Sequence, residues 1–381
     1  MPLCRRAASR ALILLREGPH PRIFRQRGSL SAIFYITLQI VITIDGGKTD
    51  GLPPGLHKHN RLSMSVNDNK TAKGKNGQMP FGPFDALYYH VIRFFIRLLS
   101  LLPFGVLYAL SDLLFYPFYY VIRYRRRIVR SNLTSSFPDK SLDEIIRIEK
   151  QFYHFFIDMS LETCKLISIS PEEMKRRMKF GNIELPNGWL AEGNSVSFFL
   201  GHFGNWEWIS TIGLWLDDGA LKAQIYRRLR SKAMDRIMMQ LRERAGNVCV
   251  EMRQTVRFMS DSAKSNTPCL IGFIADQSPN YRDSKYFIPF LNHNTPVLTG
   301  TEKATKHFDY KALFISIRRV KRGYYECELS SLHDNPKSLP DFELTNMYFR
   351  RLEQEIARSP ELYLWTHNRF KHALPIEGRQ A

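Results

Sequence analysis

A histidine and a glutamate five residues apart, His202 and Glu207, offer general acid–base chemistry in this chain. An apolar, β-rich run precedes them, Val196–Leu200, and residues with helical spacing follow. Inside one helix, five residues rotate the side chain by about 500°, so the pair would diverge by roughly 140°. The two can therefore meet only if His202 lies in a turn and Glu207 in the first helical turn. Glu207 would then accept a hydrogen bond from one ring nitrogen, and the other nitrogen would take a proton from a hydroxyl.

Two glycines and an asparagine favour such a turn. Gly201 and Gly204 tolerate positive φ angles, and Asn205 is a suitable N-cap for the helix that follows. The alternative is a core or capping histidine beside a solvent-facing glutamate, because this spacing often occurs by chance. The spacing alone leaves both interpretations open.

The elements around this turn predict an α/β fold with a mostly parallel central sheet flanked by helices. Apolar strand patterns at 196–200, 221–226, 248–250 and 269–275 alternate with helical patterns. Functional groups in such sheets gather at the carboxyl ends of the strands. Candidate site residues fall there: His202, Arg227, Asp276 and Gln277.

The last hundred residues add a second group of predicted elements. Residues 280–300 are interpreted as a loop and 301–308 as a helix. Residues 313–320 and 324–329 predict a hairpin, and 341–358 predict the last helix.

The composition indicates acidic partners. The chain has 381 residues and a formal net charge of +19, which suits binding to nucleic acid, anionic lipid or an acidic protein. Its length suits one large domain or two small ones. The five cysteines are scattered, which argues against a zinc site or a disulfide framework and fits a reducing compartment. We therefore expect no metal and no cofactor.

The N-terminal region, residues 1–78, differs from the rest. It holds 13 Lys/Arg against 4 Asp/Glu, so it supplies +9 of the net charge. Its one apolar patch spans about 15 residues, short of the roughly 20 that cross a bilayer. We interpret 1–78 as disordered, or as an extension before a translation start at Met64 or Met79. Residues 131–381 are predicted to form the α/β domain.

Residues 79–130 are predicted to form a membrane-facing helical segment. The 25 residues between Arg97 and Arg123 carry one formal charge, Asp112. Two forms remain open: a helix that spans the bilayer and a helical hairpin that lies in its interface. A basic cluster follows at 123–130, and such a cluster favours anionic headgroups and the cytoplasmic side.

Several blocks together resemble the bacterial lipid A biosynthesis acyltransferases of the late-stage, lauroyl/myristoyl type. The block His-Phe-Gly-Asn-Trp-Glu at 202–207 resembles their active-site motif. The other similar blocks keep the family's order within about 85–372, at 125–133, 137–138, 226–227, 241–246, 275–277, 288–290 and 363–371.

The resemblance implies an enzyme of the bacterial inner membrane that faces the cytoplasm. It would transfer a fatty acyl group from acyl carrier protein to a hydroxyl of a phosphorylated lipid A precursor. His202 would be the general base and Glu207 would orient it. A glutamate at 207, where related glycerolipid acyltransferases have aspartate, favours the lipid A branch.

Further residues are expected to bind substrate. Backbone N–H groups near Gly204 and Asn205 would stabilise the oxyanion of the thioester carbonyl. Three arginines would bind phosphates of the acceptor: Arg227, Arg242 and Arg244. Asp276 and Gln277 would either contact substrate or fix the loop.

Three rival functions remain at this stage. A lysophospholipid or ornithine-lipid acyltransferase would use the same His–Glu pair. A nucleic-acid-binding protein is suggested by the charge, but the chain contains no recognisable nucleic-acid module. A catalytically inactive membrane-surface protein is disfavoured by the intact His–Glu pair.

Overall fold

The computed structural model describes residues 82–374. The predictions for residues 1–78, including the start at Met64 or Met79, lie outside the described residues. The helices of the described part are α1 (Pro83–Leu101), α2 (Phe104–Tyr116), α3 (Arg126–Ser136), α4 (Leu142–Lys165), α5 (Pro171–Arg177), α6 (Glu184–Ala191), α7 (Trp206–Ile209), α8 (Lys232–Glu243), α9 (Thr255–Lys264), α10 (Gly300–His307) and α11 (Glu343–Arg358). The strands are β1 (Met178–Gly181), β2 (Val196–Leu200), β3 (Leu221–Tyr226), β4 (Val248–Glu251), β5 (Cys269–Ile274), β6 (Phe287–Phe290), β7 (His293–Pro296), β8 (Lys311–Lys321) and β9 (Tyr324–His333).

Seven strands form the central sheet in the order β1-β9-β8-β2-β5-β3-β4. Strand β2 pairs in parallel with β5 and β8, and β3 pairs in parallel with β5 and β4. The β8–β9 hairpin is the antiparallel pair of this sheet. The predicted α/β fold with a mostly parallel sheet is confirmed. The central strands are buried on both faces, as the continuous burial of β2 illustrates.

The long helix α4 begins at a capping box. The hydroxyl of Ser141 accepts a hydrogen bond from the backbone N–H of Glu144, and the Glu144 carboxylate accepts one from the N–H of Ser141. Its C-terminal half, from Phe155 to Lys165, is entirely buried. This half lies against the turn after β2, and it contacts both the N-terminal helices and the sheet.

Helices α1 and α2 are joined through Leu102 and Pro103, and both pack on α4. One stretch of the described chain, Phe104–Ile122, is apolar and long enough to cross a membrane, which is weak evidence for a span. It continues α2 through a π-helical turn that begins at Pro117. The side of α1 turned away from α4 exposes large apolar residues at helical spacing: Phe84, Leu87, Val91, Phe94, Leu98 and Leu101.

The later elements match the prediction except at one place. The interpretation of 280–300 as a loop was wrong, because β6 and β7 form an antiparallel hairpin there. Pro289 and three asparagines within the segment are residue types typical of loops. The hairpin forms because alternate side chains such as Ile288 and Phe290 are buried, Phe290 against Phe349 of α11.

Candidate active site

The turn after β2 places His202 at the carboxyl edge of the sheet, as predicted. Gly204 has a φ of +60°, and a Cβ there would lie 2.6 Å from the Ile317 side chain. Asn205 is the N-cap of α7, because its Oδ1 accepts a hydrogen bond from the backbone N–H of Trp208. Helix α7 is one turn long and continues as a 3₁₀ helix, Ser210–Leu214. The strand–turn–helix prediction for this stretch is confirmed.

The partner of His202 is Asp276. The Nδ1 atom of His202 lies 2.7 Å from Oδ1 of Asp276, and the Asp276 side chain is only 1% exposed. Burial by itself raises the pKa of Asp276, but the charge and hydrogen bond of His202 outweigh burial and hold that pKa below its usual range. The expected hydrogen bond between His202 and Glu207 was therefore wrong.

The parallel register of β2 and β5 explains this pairing. Leu200 lies opposite Ile274, so His202 and Asp276 each follow that pair by two residues on neighbouring strands. Both side chains thus leave the sheet at the same edge. The prediction that Asp276 contacts substrate is corrected, because its carboxylate lies behind the imidazole and does not line the cavity.

The hydrogen bond to Asp276 selects one tautomer of His202. An ionised carboxylate only accepts hydrogen bonds, so Nδ1 of His202 carries the proton and donates it. With the proton on Nδ1, the Nε2 atom of the neutral ring is an acceptor. It accepts a long hydrogen bond, 3.4 Å, from the Nε2 amide of Gln277, and both side chains line the same cavity. An unprotonated ring nitrogen at the cavity is the feature that a general base requires.

Glu207 forms an ion pair with Arg242 instead of orienting His202. Both carboxylate oxygens are engaged, with Arg242 Nη2 at 2.7 Å from Oε1 and Nε at 2.9 Å from Oε2. Burial lowers the pKa of Arg242, but the charge and hydrogen bonds of Glu207 outweigh burial and raise it above its usual value. A bidentate, charge-assisted pair is stronger than a neutral hydrogen bond to imidazole, which explains why the Glu207 carboxylate turns to Arg242.

A cavity of about 540 Å³ opens at this edge of the sheet. His202, Glu207, Arg242 and Gln277 line one part of it. Apolar side chains at even spacings, which place them on one face of neighbouring strands, line another part: Phe198 and Leu200 of β2, and Leu270 and Ile274 of β5.

Gly272 gives the apolar part of the cavity its shape. A Cβ at this position would lie 2.9 Å from the Phe198 ring, so only glycine allows that ring to lie across β5. The apolar lining therefore extends from Ile274 back to Leu270. Four residues of strand correspond to about 13 Å.

The predicted phosphate-binding arginines occupy different places. Arg227 is exposed and lines the cavity, whereas Arg242 lines it while paired with Glu207. Arg244 is not among the cavity-lining residues, and it donates a hydrogen bond to the carbonyl of Leu166. The predicted substrate contact of Arg244 is thus not supported by its position, because this residue directly follows α8 and its side chain extends to the end of α4.

Gly204 and Asn205 also have different roles from those expected. The N–H of Gly204 already donates to the carbonyl of Leu362 at 3.0 Å, so it is not free for an oxyanion. Asn205 is fully buried, and its Nδ2 donates to Glu162 at 2.7 Å. Both residues build the turn and neither lines the cavity.

Two residues near the site were not found from the sequence. Arg253 lines the cavity just beyond the end of β4, and Glu162 reaches the turn from α4. The position of Arg253 after a strand was a usable signal, whereas Glu162 gave none. Within residues 82–374, no group of three or more His, Cys, Asp or Glu side chains has the arrangement of a metal site.

The comparison with known families gives one match. Residues 84–372 match the family model described as bacterial lipid A biosynthesis acyltransferase. No curated protein matches the chain. The matched range contains all of the cavity-lining residues and, apart from Pro83, helices α1 and α2.

Proposed function

Since the chain belongs to the bacterial lipid A biosynthesis acyltransferase family and is therefore an acyltransferase, we propose that it transfers a fatty acyl group from acyl carrier protein to a hydroxyl of a phosphorylated lipid A precursor. The observation that carries the proposal is the His202–Asp276 pair, in which the unprotonated Nε2 atom belongs to a cavity-lining side chain. This arrangement has the features of a general base that is held in one tautomer.

The proposed reaction is direct acyl transfer. Nε2 of His202 removes the proton of the acceptor hydroxyl while its oxygen attacks the thioester carbonyl carbon. The negative charge of Asp276 stabilises the imidazolium that forms. When the tetrahedral intermediate collapses, the C–S bond breaks, and the imidazolium returns its proton to the leaving thiolate. The products are an ester and a free thiol, and His202 is regenerated.

Arg242 is proposed to stabilise the oxyanion in place of the Gly204 N–H. Glu207 engages Nε and Nη2 of Arg242, and the side chain lines the cavity beside His202. The remaining N–H groups of the guanidinium are therefore suited to a developing negative charge. Glu207 would act through Arg242 by holding the guanidinium in place.

The apolar part of the cavity suits the acyl chain, and the basic residues at its mouth suit the acceptor. Arg227 and Arg253 are exposed cavity-lining cations. Two carboxylates also line the cavity: that of Glu251, which pairs with Arg228 at 2.9 Å, and that of Asp283. Arg227 and Arg253 are thus positioned to bind an acceptor phosphate.

Replacing Arg227 with glutamine should raise the KM for a phosphorylated acceptor by about tenfold, because one charged hydrogen bond to phosphate contributes about 1.5–3 kcal/mol. Steady-state kinetics with varied acceptor would measure the change. The matched control is Arg244→Gln, which removes the same charge outside the cavity and should leave the acceptor KM unchanged. Equal effects of the two variants would contradict a local phosphate contact at Arg227.

Helices α1 and α2 are proposed to lie in the cytoplasmic interface of the inner membrane. The apolar face of α1 supports binding to lipid. Within Phe104–Ile122, Asp112 pairs with Arg322 and Ser111 donates to Asp158. These contacts join α2 to the α/β domain and favour helices that lie in the interface over an isolated spanning helix.

The function is tested with purified full-length protein in detergent, acyl carrier protein loaded with fatty acid, and a lipid A precursor. The expected result is an acceptor whose mass rises by one acyl group, measured by mass spectrometry. Acyl-CoA with a lysophospholipid is the comparison reaction. A clear preference for that pair would refute the lipid A proposal and favour a glycerolipid acyltransferase.

A further inference from the structure

One buried carboxylate outside the cavity contacts three other parts of the fold. Glu162 of α4 is 1% exposed. Its Oε1 accepts a hydrogen bond from the Tyr108 hydroxyl of α2 at 2.9 Å. Its Oε2 accepts bonds from Nδ2 of Asn205 and from the Tyr325 hydroxyl of β9, both at 2.7 Å. Helix α2 and the turn that carries His202, here called the catalytic turn, thus share one side chain.

A second hydrogen bond, to the backbone carbonyl of Glu162, also joins α4 to this turn. The indole N–H of Trp208 donates to the carbonyl of Glu162 at 3.0 Å. Trp208 is also the residue whose backbone N–H is capped by Asn205. Helix α4 therefore contacts both Asn205, the N-cap of α7, and Trp208 within α7.

Asparagine is the residue type that fits position 205. Its Oδ1 accepts from Trp208 while its Nδ2 donates to Glu162, so one amide both caps α7 and joins it to α4. Aspartate would keep the cap but place a second carboxylate against Glu162. Serine would keep the cap with a shorter side chain that lacks the amide donor.

We propose that Glu162 is a positioning residue that holds the His202 turn and couples its geometry to the seating of α2 against α4. The Tyr108–Glu162–Asn205 contacts carry this coupling. Asn205 is three residues from His202 and two from Glu207, so a shift of the cap moves both groups. The inference rests on the proposed function, because its readout is the rate of acyl transfer.

The chain provides a matched control for Tyr108. Tyr119, at the π-helical turn, donates to Glu149 of α4 at 2.7 Å, which is also a buried contact between a tyrosine hydroxyl and a glutamate. The other partners of Glu149 are Arg126 and Arg130, which do not belong to the catalytic turn. Tyr119→Phe therefore removes an equivalent hydrogen bond without reaching the site.

The test measures kcat and both KM values of the full-length protein with Tyr108→Phe, Tyr119→Phe, Asn205→Ser and the Tyr108→Phe/Asn205→Ser double variant. Tyr108→Phe should lower kcat by about fivefold, with both KM values within twofold of the wild type, because groups in one hydrogen-bond network are coupled. Tyr119→Phe should keep the wild-type kcat. Once Asn205→Ser has removed the amide contact, Tyr108→Phe should lower kcat no further.

Three outcomes would overturn the inference. They are a wild-type kcat for Tyr108→Phe, an equal loss for Tyr119→Phe, and an unchanged effect of Tyr108→Phe in the Asn205→Ser background. Glu162→Leu should lower kcat more than Tyr108→Phe, and the tyrosine variants keep the test decisive if it does not fold. His202→Ala is assayed in parallel, because full activity there would refute the proposed function independently of Glu162.

Discussion

Replacing His202 with alanine is expected to lower kcat for acyl transfer by about 10³–10⁴-fold, because the acceptor hydroxyl loses the general base that we propose. The KM values should change little, since the imidazole acts on the proton in the transition state. Product formation under substrate saturation measures the effect. The thermal unfolding midpoint serves as the control for folding.

The variant Asp276→Asn tests whether Asp276, and not Glu207, is the residue that orients His202. The amide keeps the size of the side chain but has no charge to stabilise the imidazolium, and its NH₂ group can face Nδ1 and select the wrong tautomer. We expect a loss in kcat of about 10²–10⁴-fold. Wild-type activity of Asp276→Asn would contradict the assignment of Asp276 as the orienting residue.

Replacing Glu207 with alanine is expected to lower both stability and activity. The carboxylate is 4% exposed and Arg242 is 17% exposed, so the variant leaves a mostly buried guanidinium without its ion pair. Breaking a buried pair in this way costs about 3–5 kcal/mol of unfolding free energy. Activity should fall as well, because Arg242 would no longer be held beside the site of the oxyanion. Denaturant unfolding and kcat, measured on the same preparation, test both effects.

The double variant Glu207→Leu/Arg242→Met distinguishes the loss of stability from the loss of activity. It removes both charges together and fills their volume with apolar groups, so most of the stability should return. Activity should remain low, because the oxyanion still lacks a cation. If Glu207→Ala instead kept full stability and lost only activity, Glu207 would act on His202 directly and the Arg242 explanation would be wrong.

The local structure around His202 could be predicted from the sequence because it depends on neighbouring residues. The apolar run of β2 forms a strand, Gly204 permits the positive φ, and Asn205 caps α7. Helix α4 likewise depends on neighbouring residues, through its acidic first turn and apolar spacing. Burial of these apolar patterns also required an α/β fold.

The hairpin of β6 and β7 was not predictable in this way. Its strands are four residues long, and one contains Pro289, so the local pattern resembles a loop. Packing of Phe290 on α11 stabilises it. That contact exists only after the distant helix has been placed.

The sequence by itself determined that a histidine stands in a strand-to-helix turn, with Arg227 and Asp276 at the ends of other strands. Only the tertiary structure decided which groups pair. His202 and Asp276 are 74 residues apart and meet because β2 and β5 are neighbours in a fixed register. Glu207, although only five residues from His202, turns to Arg242 because a buried carboxylate is stabilised most by a bidentate cation. Spacing along the chain limits which side chains can meet, but competition among buried charges selects the pairs that form.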